Sequence, residues 1–122
     1  LTKEYIKEHG ISFQSACEML RKEYKTNLRT WASYGDYDRR QFERQCQLPD
    51  YNSVKYPFGI THLNVKNLAA LAIGLNKEVG MDVCLKIMNL KLEGTHHRGV
   101  DDAVNIANIL IEILKMYRFR KV

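Results

Sequence analysis

The sequence predicts an α/β fold. Short segments rich in strand-forming residues alternate with amphipathic helices through the middle of the chain, which is typical of layered α/β architectures. The longest helical pattern comes last, where apolar residues after Asp102 recur at helical spacing over about four turns. A chain of 122 residues allows one compact domain, and we find no internal repeat or low-complexity linker that would divide it.

Two helices are predicted before the first strand. Thr2 is a suitable N-cap for a segment that stops at Gly10, and Ser12 is a suitable N-cap for a second, amphipathic helix. The apolar stripe of the second helix consists of Phe13, Ala16, Cys17, Leu20 and Tyr24.

The first strand is predicted from Leu28 to Ser33, and it is followed by a Gly-Asp-Tyr-Asp turn that leads into a helix ending before Pro49. This order places carboxylates at the carboxyl edge of a sheet, where open α/β sheets collect their ligands. We expect Asp36 to cap the helix and Asp38 to point into a site.

A second strand is predicted at His62-Leu63-Asn64-Val65, after an irregular connection over residues 50–58. Two further helical stripes follow it, made of Leu68, Ala69, Ala72 and Ile73 and then of Met81, Cys84, Leu85 and Met88.

The stretch from Gly94 to Ala103 contains two histidines and two aspartates just before the last helix. His97 is predicted in the approach loop and Asp102 in the first helical turn. Histidine exchanges protons near neutral pH and aspartate binds cations, so the pair can serve as proton acceptor and metal ligand. Aspartate also caps helix N-termini, and loop histidines are commonly solvated, so spacing alone leaves both interpretations open.

Composition narrows the classes of function. Nineteen Lys and Arg against fourteen Asp and Glu give a net charge of +5, which suits a polyanionic partner without requiring one. No apolar run reaches the roughly twenty residues that cross a bilayer, and no signal-peptide pattern opens the chain, so we expect a cytoplasmic protein without a membrane partner. Cys17, Cys46 and Cys84 are interpreted as reduced packing residues.

Two long motifs carry a family resemblance. WASYGDYDRRQF at Trp31 to Phe42, followed downstream by GTHHRGVDDAVNIA at Gly94 to Ala107, resembles the second and third motifs of the DEDDh 3′-5′ exonucleases. The likeness is greatest to the branch of histone-mRNA 3′-end and small-RNA-trimming exonucleases and their bacterial relatives. The resemblance implies a ribonuclease H-like fold and covers nearly the whole chain.

The resemblance also implies site residues. Asp38 matches the aspartate of the second motif, His97 the general base of the third, and Asp102 its final aspartate. Asp38 and Asp102 would be ligands of two Mg²⁺ or Mn²⁺ ions, which activate a water molecule and stabilise the leaving oxygen in such enzymes. Asp36, His96 and Asp101 would be structural neighbours.

One part of the family pattern has no counterpart in this chain, namely the Asp-x-Glu pair of the first strand. We therefore expect a fold truncated at its N-terminus, with helices and about two strands, so that residues 1–122 form a single partial exonuclease domain. Metal binding would be weak or absent, and this chain alone would be inactive. The strand that contains Trp31 would expose an edge, which an N-terminal segment or a second copy of the chain would cover.

The function implied by the resemblance is 3′-5′ exonuclease activity on single-stranded nucleic acid, RNA rather than DNA, with the 3′ end as the partner. The alternative is a non-catalytic remnant that binds nucleic acid or a protein partner. An upstream Asp-x-Glu in the same reading frame would favour the enzyme.

Overall fold

The computed structural model describes residues 1–51 and 54–118. Within these residues the chain combines six α-helices with a small sheet of two parallel strands, as an α/β chain does. The helices are α1 (Lys3–His9), α2 (Phe13–Tyr24), α3 (Tyr37–Cys46), α4 (Val65–Ile73), α5 (Met81–Ile87) and α6 (Gly99–Arg118). The strands are β1 (Trp31–Ser33) and β2 (His62–Asn64), and short 3-10 turns occupy Thr26–Leu28 and Pro49–Tyr51.

The chain divides into two compact units. The first comprises Leu1–Trp31 and Arg39–Thr61, and the second comprises Ala32–Asp38 and the described residues from His62 onward.

The first unit begins with the two predicted helices, and both predicted N-caps are confirmed. The Thr2 side chain accepts a hydrogen bond from the Tyr5 backbone N–H, and the Ser12 side chain accepts one from Ser15. Helix α1 buries none of its residues, whereas α2 buries Cys17. Tyr24, predicted on the apolar stripe of α2, is largely exposed at the end of that helix.

The first predicted strand is shorter in the structure than in the sequence analysis. Residues Thr26–Leu28 form a 3-10 turn, and Leu28 is 78% exposed. The turn follows Lys25, whose φ of 54° reverses the chain, and the backbone N–H groups of Leu28 and Arg29 donate to carbonyls three residues earlier. These local bonds use the groups that a strand ladder would need, so the strand begins only at Trp31.

Trp31 is half-buried rather than exposed as expected. Its ring stacks on Phe58 with centroids 4.1 Å apart and an interplanar angle of 13°. Phe58 also meets Phe42 and Tyr56 edge to face, so the rings form one aromatic cluster. The two-stranded sheet nevertheless gives β1 only one neighbouring strand among the residues described.

The second unit has an apolar core between three helices. Its buried side chains come from α4, α5 and α6 and are Val65, Ala69, Met81, Cys84, Leu85, Ile109 and Ile113. Helix α6 contacts both α4 and α5, and the core holds it through Ile109 and Ile113 in the middle of the helix.

The ends of the two strands are joined by polar contacts. Strand β2 ends at Asn64, one residue earlier than predicted. The reason is that the Asn64 side chain caps α4, where it accepts a hydrogen bond from the Asn67 backbone N–H at 3.3 Å. The same oxygen accepts from Gly35 N–H at 3.1 Å. The Ser33 hydroxyl donates to the Gly35 carbonyl and lies within hydrogen-bond distance of His62 Nε2, at 2.8 Å.

The three cysteines are free, as expected. Cys17 and Cys84 are buried and Cys46 is half-buried. Burial is the largest cause that raises the pKa of each thiol, to about 11 for Cys17. Such thiols are packing residues rather than nucleophiles.

In the part of the chain that the structure describes, no helix has the length and apolar character that crossing a bilayer requires.

Candidate functional site

The loop before α6 and the first turn of that helix bring His96, His97 and Asp102 together. Their potential ligand atoms all lie within 4.8 Å of one another, and no other group of three His, Cys, Asp or Glu side chains among the described residues is placed to share an ion. We call these three residues the His-His-Asp cluster. It contains two of the predicted site residues and one predicted neighbour.

The Asp102 carboxylate is the centre of the cluster. Its Oδ1 atom accepts the His97 backbone N–H at 3.1 Å and lies 3.1 Å from His96 Nδ1. The two imidazole rings stack with centroids 3.8 Å apart. Both His96 and Asp102 are partly shielded, with side chains 31% and 27% exposed, whereas His97 is exposed to solvent.

Asp101 organises the same loop from the neighbouring position. Its Oδ2 atom accepts the Thr95 backbone N–H at 3.0 Å and lies 3.8 Å from the guanidinium of Arg98. Gly94 has a φ of 61°, and a Cβ atom there would overlap the Asp101 carboxylate. Glycine at this position therefore permits both the turn and the close approach of Asp101.

Asn105 makes the third attachment, which the sequence analysis missed. Its fully buried side chain accepts the Glu93 N–H at 2.8 Å and donates to the Glu93 carbonyl at 3.0 Å. Asn105 lies three residues after Asp102 and four after Asp101, so the three polar side chains share one face of α6. That spacing could have singled out Asn105 in the sequence, although it does not identify Glu93 as its partner.

His97 itself has a left-handed backbone, with a φ of 70°. This conformation is uncommon for a residue other than glycine, and here the hydrogen bond from its N–H to Asp102 accompanies it. The loop backbone is thus fixed at Glu93, Thr95 and His97, so freedom to move belongs to the exposed imidazole rather than to the loop as a whole.

Asp38, the third predicted site residue, lies in the first turn of α3 and is exposed. It does not belong to the His-His-Asp cluster. Asp36 is half-buried just before that helix. The prediction that Asp38 and Asp102 share metal ions stays a prediction.

The donor atoms of the cluster suit one kind of cation better than another. Two imidazole nitrogens and one carboxylate suit borderline transition metals, whereas Mg²⁺ prefers an octahedron of oxygen ligands. The resemblance implies His97 as a base and not as a ligand, so the cluster is not the ligand set of the predicted Mg²⁺ or Mn²⁺ ions, and those ions stay a prediction.

Comparisons with protein families, with curated proteins and with solved structures find no match to this chain.

Proposed function

We propose that this chain carries the general base of a ribonuclease H-like 3′-5′ exonuclease, which removes nucleotides from the 3′ end of single-stranded nucleic acid, RNA in preference to DNA. The single observation that carries the proposal is the His97 and Asp102 pair. The His97 imidazole is exposed, and the His97 backbone N–H donates a 3.1 Å hydrogen bond to the carboxylate of Asp102 in the first turn of α6.

The proposed reaction is hydrolysis of the terminal phosphodiester. A water molecule attacks phosphorus, and the bond from phosphorus to the 3′ oxygen of the preceding nucleotide breaks. His97 accepts the proton of the water through a ring nitrogen, and a solvent proton completes the leaving hydroxyl. Asp102 acts here by orienting the His97 backbone and by receiving the hydrogen bond of the His96 ring.

The neighbouring arginine supports an anionic substrate. Arg98 follows His97 directly, and its side chain is 74% exposed even though it lies 3.8 Å from Asp101. An exposed guanidinium can donate two parallel hydrogen bonds to the oxygens of one phosphate. The net charge of +5 favours the same class of partner.

The test uses the complete gene product that contains these residues, incubated with 5′-labelled single-stranded RNA and Mn²⁺. We expect a ladder of shortened products and release of nucleoside 5′-monophosphates. His97→Ala should lower the rate by about 100- to 10,000-fold, the usual contribution of a general base. His9→Ala, which removes an exposed histidine of α1, is the matched control and should leave the rate unchanged.

An inactive gene product, or one whose rate survives His97→Ala, would overturn the proposal and favour the non-catalytic alternative. The 122-residue chain by itself should trim RNA at a rate near background, because its cluster contains a single carboxylate. Robust trimming by this chain that His97→Ala abolishes would contradict that expectation.

A further inference from the structure

We propose that His96, His97 and Asp102 together bind one transition cation of the Zn²⁺ class, with water at the open coordination position. Zn²⁺ commonly takes three protein ligands, imidazole nitrogen and carboxylate oxygen among them, when one position stays open. The three side chains offer that set, two nitrogens and one oxygen, within 4.8 Å of one another.

Two of the three donors already have the spacing that such an ion needs. Bond lengths of about 2.0 to 2.1 Å in a tetrahedral site put neighbouring ligand atoms about 3.3 Å apart. His96 Nδ1 and Asp102 Oδ1 are 3.1 Å apart. The ion replaces the proton that lies between these two atoms, and that proton leaves to solvent.

The third donor reaches the ion by a side-chain movement alone. The exposed His97 ring stacks on His96 with centroids 3.8 Å apart, and one of its nitrogens lies within 4.8 Å of the other two ligand atoms. The His97 N–H can keep its bond to Asp102 Oδ1, because a carboxylate oxygen has a second lone pair for the metal.

The surroundings of the cluster favour a preformed site. Asp101 accepts from Thr95, and Asn105 bonds both backbone groups of Glu93, so the loop that carries the histidines has little backbone freedom to lose. Outer contacts of this kind orient metal ligands in proteins and strengthen binding.

Zinc would regulate the activity proposed above, and this part of the inference rests on that proposed function. A Zn²⁺ ion bound to His97 occupies the nitrogen lone pair that would accept the proton of the attacking water. Zn²⁺ should therefore inhibit trimming by the complete gene product, and a chelator that binds Zn²⁺ much more tightly than Mn²⁺ should restore it.

The binding itself is tested on the 122-residue chain without RNA, by calorimetric titration with Zn²⁺ and by the visible spectrum of Co²⁺. We expect one Zn²⁺ ion per chain and no competition from a tenfold excess of Mg²⁺. Thiolate ligands would give an intense near-ultraviolet charge-transfer band with Co²⁺, and the cluster should not. Under Zn²⁺, the ring resonances of His96 and His97 should shift in the nuclear magnetic resonance spectrum.

Two pairs of variants make the test specific. Asp102→Asn keeps an oxygen that accepts from His97 but removes the charge, and it should weaken Zn²⁺ binding at least tenfold. Asp82→Asn removes the same charge from the exposed first turn of α5, outside the cluster and its loop, and should have little effect. His96→Ala should weaken binding about 100-fold, whereas His9→Ala should not, and circular dichroism should show all four variants folded.

Equal affinity of Asp82→Asn and Asp102→Asn, tighter binding of Mg²⁺ than of Zn²⁺, or a cobalt spectrum of thiolate type would overturn the site. The two proposals fail separately. Zn²⁺ binding to the cluster without RNA trimming by the gene product would refute the exonuclease alone. Trimming without Zn²⁺ binding would refute the metal site alone.

Discussion

Asn105 is expected to stabilise the loop that carries the two histidines, although it touches neither ring. Its buried side chain bonds both the N–H and the carbonyl of Glu93, at 2.8 and 3.0 Å. Asn105→Ala removes both bonds and leaves a small cavity next to the core of the second unit. The loop should then open more often at its start.

The magnitude follows from these two bonds. Each contributes about 1 kcal/mol to stability, and the buried amide adds about 1 kcal/mol of packing. Glu93 is exposed, so water can form hydrogen bonds with its backbone N–H and carbonyl in the variant and recover part of this loss. The net cost is therefore about 2 kcal/mol, which corresponds to a roughly 30-fold rise in the opening equilibrium.

Amide hydrogen exchange at Glu93 and urea unfolding measure this change. Exchange at Glu93 should accelerate roughly 30-fold in Asn105→Ala, in line with the estimate above. Asn108→Ala is the matched control, because Asn108 lies on the same helix and is partly exposed. Asn105→Asp should also destabilise, since a carboxylate oxygen would face the Glu93 carbonyl. A change below about 0.5 kcal/mol in Asn105→Ala would refute the reasoning, because it is the size expected of an ordinary surface substitution.

Three further predictions concern the loop and the buried titratable groups. Gly94→Ala should cost about 1 to 3 kcal/mol in urea unfolding, because of its φ of 61° and the overlap of a Cβ with Asp101. Gly99→Ala, whose Cβ would meet open space, should be neutral or slightly stabilising, and equal costs for both would contradict this account. Burial, followed by the nearby Cys84 thiol, raises the pKa of the Tyr34 hydroxyl above its ordinary value of 10.0. The stabilisation that Tyr34 provides should be complete below pH 10 and should be lost as pH rises from there through the raised pKa of the folded protein. Tyr34→Phe should therefore make the free energy of unfolding less dependent on pH above pH 10. Burial raises the pKa of Cys17 from 9.0 to about 11, so its alkylation at pH 8 should be about 100-fold slower in the folded chain than in urea, and equal rates would disprove it.

The sequence by itself determined the features that depend on near neighbours along the chain. Thr2 and Ser12 cap their helices as predicted because a cap bonds an N–H only three residues away. The period of apolar residues likewise located the helices that form the core of the second unit, and Asp102 lies in the first turn of α6 as expected.

The tertiary structure decided the features that depend on distant partners. The first strand is shorter than predicted because the backbone at Thr26–Leu28 forms hydrogen bonds within a 3-10 turn instead of with a neighbouring strand. Trp31 stacks on Phe58, which lies well downstream in the sequence. Asn105 meets Glu93 twelve residues earlier, a contact that no local pattern specifies.

The site shows the same division. Its two aspartates could be located from the start of a helix, but spacing could not say which side chains meet. His96 joins the cluster because the chain turns at His97 with a φ of 70°, and that turn is stabilised by the carboxylate of Asp102 five residues later. A loop of this kind has no periodic pattern, since its shape is set by the specific hydrogen bonds that α6 offers to its backbone.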